Sequence, residues 1–333
     1  MTPVQERLLD IISSFADKKV LIVGDSIADR FTYGSISRVS REAPVFILRH
    51  EQTETVPGGA ANSAVNLASL GAQVSLVSVV GNDQAGNELI TRLDAVGVDT
   101  RSLLTAENLQ TTTKVRILAG HAHSNRQQVI RIDYEDSPIT DDALRARLLS
   151  ALKAAISDAQ AVIVSDYNYG VVDDAEIELL RGVKRSMPVL VDSRFRLTSL
   201  TGLTAATPNE DELEQIIKEP IGSLEHLEAS ATRLQQQLNY QALLVTRGPR
   251  GMMLLEQDAP PLHIDAVGAA QPVDVTGAGD TVIATFALAL ASGASFSEAA
   301  RLANYAGGLV VMKRGTASVT RSELEHSIIN SEN

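Results

Sequence analysis

The chain has 333 residues, with 29 Lys and Arg against 41 Asp and Glu, for a formal net charge of −12. Hydrophobic residues make up 44% and charged residues 21%, with 22 Gly and 11 Pro, which excludes a disordered or collagen-like chain. Cys is absent, which removes disulfide frameworks, thiolate zinc sites and cysteine nucleophiles together, and the acidic balance argues against general binding to nucleic acid or anionic membrane. Residues 1–19 mix charges with an apolar face (Leu8, Leu9, Ile11, Ile12, Phe15) and lack the pattern of a secretory signal. Val20–Val23 reads as a buried strand ending in Gly24-Asp25. Residues 59–70 read as a helix of small residues, 74–80 as a strand and 85–96 as a helix. Later come strands at 161–164, 189–191 and 242–245, and helices at 174–185, 210–217, 224–238 and 277–291. Continuous apolar strands separated by helices imply a doubly wound α/β fold, with a mostly parallel sheet covered on both faces. Its ligands are expected at the carboxyl ends of the strands. No apolar run reaches about 18 residues, the usual threshold for a spanning helix, so a soluble, cytoplasmic protein is expected.

Two stretches break this rhythm. Residues 43–56 have extended character, and 111–134 contain Lys114–Ile117 and Gln128–Ile132, which alternate with period two. Alternation predicts half-buried antiparallel strands, hence a small inserted sheet over a site. The expected organisation is one domain over 1–333 with lid segments at about 34–57 and 111–134. The polar face of this sheet carries Lys114, Arg116 and Arg131, suited to an anionic ligand; the simpler reading is the solvated face of a hairpin. His121 and His123 share a strand face, but no acidic third ligand accompanies them, so a metal reading is weak.

Five segments carry candidate chemistry. In Asp274-Val275-Thr276-Gly277-Ala278-Gly279-Asp280-Thr281, small residues stand immediately before a long apolar helix. Their N–H groups sit at the positive helix end, which favours phosphate or developing negative charge, and Asp280 follows as a candidate proton acceptor. The same residues also make an ordinary helix start. Pro57-Gly58-Gly59-Ala60-Ala61-Asn62 opens another helix, where paired glycines admit close backbone approach and Asn62 offers a donor and an acceptor for sugar hydroxyls. Its simpler reading is a tight helix start. Gly24-Asp25-Ser26, with Asp29 and Arg30, stands at a strand end where ligands bind, or is a turn. Asn209-Glu210-Asp211-Glu212 could organise Mg²⁺ through water, or serve as an acidic first helical turn. Thr246 and Gly248, with Gly251 following, could edge a nucleotide, or form a β-turn.

Taken together these segments resemble the ribokinase-like (PfkB-type) sugar kinases. Pro57–Asn62 matches the first signature of that family and Asp274–Asp280 the second, and the resemblance runs from Val20 to about Val319. Within the family the chain looks most like the D-glycero-β-D-manno-heptose-7-phosphate kinases, the kinase half of the bacterial ADP-heptose synthesis enzymes. The narrower match rests on Gly24-Asp25, Asp29-Arg30, Ser37–Val45 with Arg38, Thr113–Arg116, Gln127–Asp133 and Ser165-Asp166-Tyr167. Those kinases usually carry Lys where this chain has Tyr169, and Asp-Pro-Lys where it has Asp192-Ser193-Arg194. Tyr169 lacks the charge, and Arg194 keeps it with a different geometry.

The resemblance implies ATP-dependent phosphorylation of the anomeric hydroxyl of a heptose 7-phosphate. Asp280 would be the general base, and the amides of Gly277, Ala278 and Gly279 an anion hole. Asp25, Asp29, Arg38, Gly58, Gly59, Asn62, Lys114, Arg116, Arg131 and Asp166 would hold the sugar or its phosphate. Asn209, Thr246, Gly248, Gly251, Thr276, Gly277, Gly279 and Asn304 would border ATP. Glu212 would meet Mg²⁺ through water, and Asp274, Thr276 and Gly315 would flank a monovalent cation such as K⁺. A stand-alone kinase and a homodimer formed through the lid are further expectations. Alternatives are a kinase of the same fold for fructose, fructose phosphate, a ribose-like sugar or a nucleoside, and a non-catalytic sugar- or nucleotide-binding regulator. A nicotinamide-dependent oxidoreductase is disfavoured, because no G-x-G-x-x-G follows Val20–Val23.

Overall fold

The computed structural model describes residues 1–120, 126–136, 138–268 and 271–331. His121 and His123 lie outside the described residues. The chain opens with α1 (Pro3–Ser13), β1 (Lys19–Gly24), β2 (Ser26–Val39), β3 (Phe46–Gly59) and α2 (Ala60–Ser69). It continues through β4 (Gln73–Gly81), α3 (Gln84–Ala95), β5 (Leu103–Ala106), β6 (Thr113–Gly120), β7 (Gln127–Tyr134) and α4 (Asp142–Ala155). Then come β8 (Ala161–Asp166), α5 (Asp174–Val183), β9 (Val189–Ser193), β10 (Ala205–Ala206), α6 (Glu210–Ile217) and α7 (Leu224–Leu238). Last are β11 (Ala242–Thr246), β12 (Met252–Glu256), β13 (Leu262–Ile264), α8 (Ala278–Ala291), α9 (Phe296–Val310) and α10 (Arg321–Ile329).

The large sheet has nine strands in the order β13-β12-β11-β10-β9-β8-β1-β4-β5, parallel except for its β12 and β13 edge. The apolar runs explain it: Val20 and Ile22 of β1 point into one core, Leu21 and Val23 into the other. Helices α1, α2, α3, α8, α9 and α10 supply the first core, and α4, α5, α6 and α7 the second. Both faces are therefore covered, as uninterrupted apolar strands require. The chain leaves β1 towards β4 and β5 on one side and later fills β8 to β11 on the other. The order reverses between β1 and β8, which fixes the crevice at their carboxyl ends. Among the described residues no helix is long and apolar enough to cross a membrane.

The small sheet has four strands in the order β3-β2-β6-β7. It differs from the sequence expectation in three respects. It starts at Ser26, in a stretch without alternation, and β2 pairs with β6 in parallel rather than antiparallel fashion. β7 is exposed along its whole length instead of half-buried, because among the described residues nothing covers either of its faces. Pro57 is tolerated in β3 because that strand is an edge and needs no second ladder partner. Arg116 and Arg131 are cross-strand partners, and Lys114 lies two residues along β6, so the three cations do share one face. The Lys114 ammonium lies 5.8 Å from the ring centres of both Tyr167 and Tyr169, so this face is turned towards the end of β8. Glu88 of α3 fastens the sheet to the body, accepting from Thr55 Oγ1 at 2.6 Å and Arg30 at 3.2 Å.

Candidate active site

The second glycine-rich segment forms the start of α8. Gly277 sits in the left-handed region at φ 76°, and a Cβ there would lie 2.6 Å from Asn62 Nδ2. Only glycine meets both demands. No side chain caps α8. The amides of Gly277 and Gly279 have no protein acceptor among the described residues, whereas Ala278 donates to the Val275 carbonyl at 3.2 Å. Of the three amides expected to form an anion hole, two are open at the positive end of the helix and one is used within the turn.

Asp280 follows, buried in the first turn. Its Oδ2 accepts from Asn62 Nδ2 at 2.6 Å. Its Oδ1 accepts from Ser63 Oγ at 3.3 Å and, at the long distance of 3.5 Å, from the Tyr167 hydroxyl. Burial pushes the Asp280 carboxyl up to about 7, against the lowering effect of the Asn62 and Ser63 bonds and with a further push from Asp29. A carboxyl that titrates near neutrality is suited to exchanging a proton with a substrate hydroxyl.

Beside Asp280 opens a cleft of about 700 Å³. Asn209, Thr246, Gly248, Gly251, Gly277, Gly279 and Asn304 all line it, as do Ala278, Asp166 and Glu212. Thr276 does not line it; its amide donates to Asp274 Oδ1 at 2.9 Å. Its lining combines an apolar set, Val267, Val275, Val282, Gly307, Gly308 and Val311, with the charged Arg194, Asp192 and Glu212. An apolar slot leading to open helix-end amides suits a ligand with a flat ring at one end and phosphates at the other.

The metal candidates separate into two groups. Asp274, Thr276 and Gly315 converge, since the Gly315 amide donates to Asp274 Oδ2 at 2.9 Å. Burial raises the Asp274 carboxyl, but those amide bonds outweigh it and hold it below the usual carboxylate range. An ionised carboxylate with spare lone pairs beside main-chain groups fits a monovalent cation. Glu212 and Asn209 instead form a reciprocal capping box at the start of α6, with bonds of 2.9 and 2.8 Å. Among the described residues no three His, Asp or Glu side chains converge to hold a metal directly. The donors present therefore fit Mg²⁺ only through water, as it is commonly bound beside phosphates.

Several sugar candidates also bond within the protein. Asp25 accepts main-chain bonds from Tyr167 at 2.8 Å, Tyr169 at 3.1 Å and Val171 at 3.1 Å. It tethers the loop after β8, and burial pushes its carboxyl up to about 6 despite those bonds. Asp166 accepts from Ser193 Oγ at 2.7 Å and pairs with Arg196. Asn62 gives its amide to Asp280. Gly58 makes room for Asp29, whose Oδ2 would lie 2.6 Å from a Cβ, and Gly59 at φ 58° opens α2. Asp29 pairs with Arg116, and Arg131 makes a two-bond pair with Asp133 at 2.9 Å. Lys114 has no ion-pair partner within reach among the described residues. Burial lowers its pKa, opposed by Glu135, Asp133 and Asp29. Arg38 is not brought to the site. It is exposed near the tip of β2, about 30 Å along the strand from Asp29 at the usual rise per residue.

Two residues outside the candidate set belong to the site. Tyr167 touches Asp280, and the Asp280 charge followed by burial holds its phenol well above the usual range, so it stays protonated. Asp192 faces Gly279, where a Cβ would lie 4.0 Å from its Oδ2; burial, then Asp280 and Glu212, hold its carboxyl well above the usual range. Both stand at or just past the carboxyl ends of strands, the location the fold assigns to ligands.

The bifunctional protein HldE of Nitrosococcus oceani is 41% identical over 315 residues, covering 94% of this chain and 64% of that protein. The chain thus spans about 64% of the length of the relatives it matches. The ribokinase of Arabidopsis thaliana, solved with ribose and ATP, superposes with a TM-score of 0.72 at 23% identity, over 94% of this chain and 99% of that one. Phosphofructokinase-2 of Escherichia coli superposes with a TM-score of 0.76 at 18% identity, over 94% and 98% of the two chains. At such identities the structural likeness shows the ribokinase-like fold. The pfkB family carbohydrate kinase profile matches residues 17–323, from just before β1 into α10 and across both glycine-rich segments, and the chain belongs to that family of sugar kinases.

Proposed function

We propose that this protein transfers the terminal phosphoryl group of ATP to the anomeric hydroxyl of D-glycero-β-D-manno-heptose 7-phosphate, in the cytoplasm, as a step of ADP-heptose synthesis. The observation that carries the chemistry is the position of Asp280, between the open amides of the cleft and the charged face of the small sheet. The acceptor hydroxyl oxygen forms its bond to phosphorus, the bond to ADP breaks, and Asp280 Oδ1 takes the proton. Gly277 and Gly279 donate to the phosphoryl oxygens as charge moves, and positioning with electrostatics supplies most of such catalysis. Asn209, Thr246, Gly248, Gly251 and Asn304 would border the nucleotide. Glu212 would hold Mg²⁺ through water, Asp274, Thr276 and Gly315 would flank K⁺, and these ions offset phosphate charge when bound. The lid excludes water from the reacting groups.

The phosphorylated acceptor is supported by the relatives and by Lys114, Arg116 and Arg131 on the face turned to the site. A neutral sugar is the second reading, favoured by the Asp29 and Asp133 carboxylates that already pair with the two arginines. ADP release with Mg-ATP and a panel of the heptose 7-phosphate, fructose 6-phosphate, fructose, ribose and adenosine decides between them. Selective turnover of the heptose phosphate supports the first reading, selective turnover of another sugar replaces it, and nucleotide binding without any turnover favours a regulator. Because the base must be ionised, kcat/KM is expected to rise with pH through about 7. A profile flat between pH 5.5 and 8.5 would remove Asp280 from that role.

We also propose a homodimer through the lid. The face of β7 turned away from the site exposes Ile130, Ile132 and Tyr134 by 51, 40 and 44%. Such a stripe marks an interface. Ile130→Glu with Ile132→Glu is expected to give monomers in analytical ultracentrifugation, against dimers for the parent chain. A parent chain that sediments as a monomer at all concentrations defeats this proposal.

A further inference from the structure

Helix α2 breaks a local rule. Asn is disfavoured in helix interiors, because its side chain competes for backbone groups, and buried amides are costly unless paired. Yet α2, otherwise rich in Ala, buries Asn62 and Asn66 one turn apart, at 2% and 1% exposure. Both face α8. Asn66 Nδ2 donates to the Asn62 main-chain carbonyl at 3.0 Å and to Asn62 Oδ1 at 3.3 Å. Thr281, fully buried beside the base, donates its hydroxyl to Asn66 Oδ1 at 2.7 Å.

The bond directions follow from what each group can do. A main-chain carbonyl only accepts, so Asn66 must turn its nitrogen towards Asn62 and its oxygen towards Thr281. The Asn66 nitrogen then requires the Asn62 oxygen on its side. That leaves the Asn62 nitrogen facing Asp280 Oδ2, where it lies at 2.6 Å. An ionised Asp280 selects the Asn62 nitrogen by itself, but a protonated Asp280 can donate to the flipped Asn62 oxygen, and the Asn66 bonds disfavour that second arrangement.

We propose that Asn66 and Thr281 are positioning residues for Asp280: their relay locks the Asn62 amide so that it donates to the carboxylate and aims the other oxygen at the acceptor. The inference rests on Asp280 being the general base. The titratable groups facing Asp280 are Asp29 with its partner Arg116 from the small sheet, Tyr167 after β8 and Asp192 at the end of β9. From α2 it meets only neutral side chains, Asn62 and Ser63. The Asn62 amide held by the relay is the shortest of the three donors to Asp280, beside the Ser63 and Tyr167 hydroxyls, and it favours the ionised base.

The test is the pH profile of kcat/KM for Asn66→Leu, Thr281→Val and Thr281→Ser, with ADP release as the readout and Asp280→Asn alongside. Asn66→Leu frees the Asn62 amide to flip, which favours protonated Asp280. Its acid limb is expected to move up by about one pH unit, with about tenfold less activity below the limb, recovery at alkaline pH and an unchanged KM for ATP. Thr281→Val is expected to move the limb the same way by less, and Thr281→Ser, which keeps the hydroxyl, to return it. Should Asn66→Leu fail to fold, the Thr281 pair decides alone. Limbs that coincide with the parent limb after scaling overturn the relay, because a loss of packing lowers activity at every pH. If Asp280→Asn is inactive while the limbs stay put, the relay alone falls. If Asp280→Asn keeps parent turnover, the base assignment falls and the relay with it.

Discussion

Asp280→Asn is expected to lose about 10²–10⁴-fold in turnover while retaining ATP binding. The carboxamide fills the same volume and can still accept from Asn62, so the cleft keeps its shape, but it cannot take a proton. The same substitution is expected to stabilise the fold. Asp280 ionises near 4 when unfolded and near 7 when folded, because burial penalises its charge. The folded state therefore holds a proton between those values that the unfolded state has lost. Stability from this group is fully present below about pH 4 and falls as pH rises through about 7. The gain of Asp280→Asn over the parent should grow across that window and level off above it, to at most about 4 kcal/mol. Unfolding midpoints at pH 5 and pH 8 measure this, and nucleotide titration with ADP release measures the rest. Parent-level turnover would remove the base, and a midpoint unchanged at pH 8 would show that the carboxylate is hydrated in the fold. Such a pairing of lost activity with gained stability is the usual mark of a site that holds an unfavourable charge for function.

Gly277→Ala is expected to cost about 10²–10³-fold in turnover with a stability loss of only about 1–3 kcal/mol. The added methyl would lie 2.6 Å from Asn62 Nδ2 at a φ of 76°, where L-residues are strained. The Asn62 side chain is the group that yields, and yielding removes the bond at Asp280 Oδ2 and displaces an open amide of the anion site. Folding changes little, since the clash meets a side-chain end and not the main chain. Turnover and urea unfolding of this variant separate the two effects. Near-parent turnover would mean that neither the Asn62 bond nor the first amide of α8 matters to the reaction.

Much of the fold is legible in the sequence. Val20–Val23, Ala161–Val164 and Ala242–Val245 are continuous apolar runs because both faces of their sheet are covered, and each lies within a central strand. Helices at 210–217 and 224–238 match their expected bounds, since Asn209 and Ser223 supply side-chain caps that local chemistry makes readable. The glycine-rich start of α8 was legible for the same reason: close approach and left-handed backbone are local demands that only glycine satisfies.

What stayed hidden is the choice of partner. Asn62 offers a donor and an acceptor wherever it stands, but its donor goes to Asp280, 218 residues away, because α2 packs against α8. Asp25 reads as a sugar ligand, and its oxygens also hold the loop at 167–171, which β1 and β8 bring side by side. Arg38 carries a suitable charge on a strand that runs away from the site, and the parallel pairing of β2 with β6 has no local signature. By itself the sequence determined the element types, the covered parallel sheet and the two ligand-seeking glycine turns, because periodicity, capping and backbone freedom act within a few residues. Only the tertiary structure decided which polar groups meet at Asp280, because sheet order and helix packing bring together residues more than a hundred positions apart.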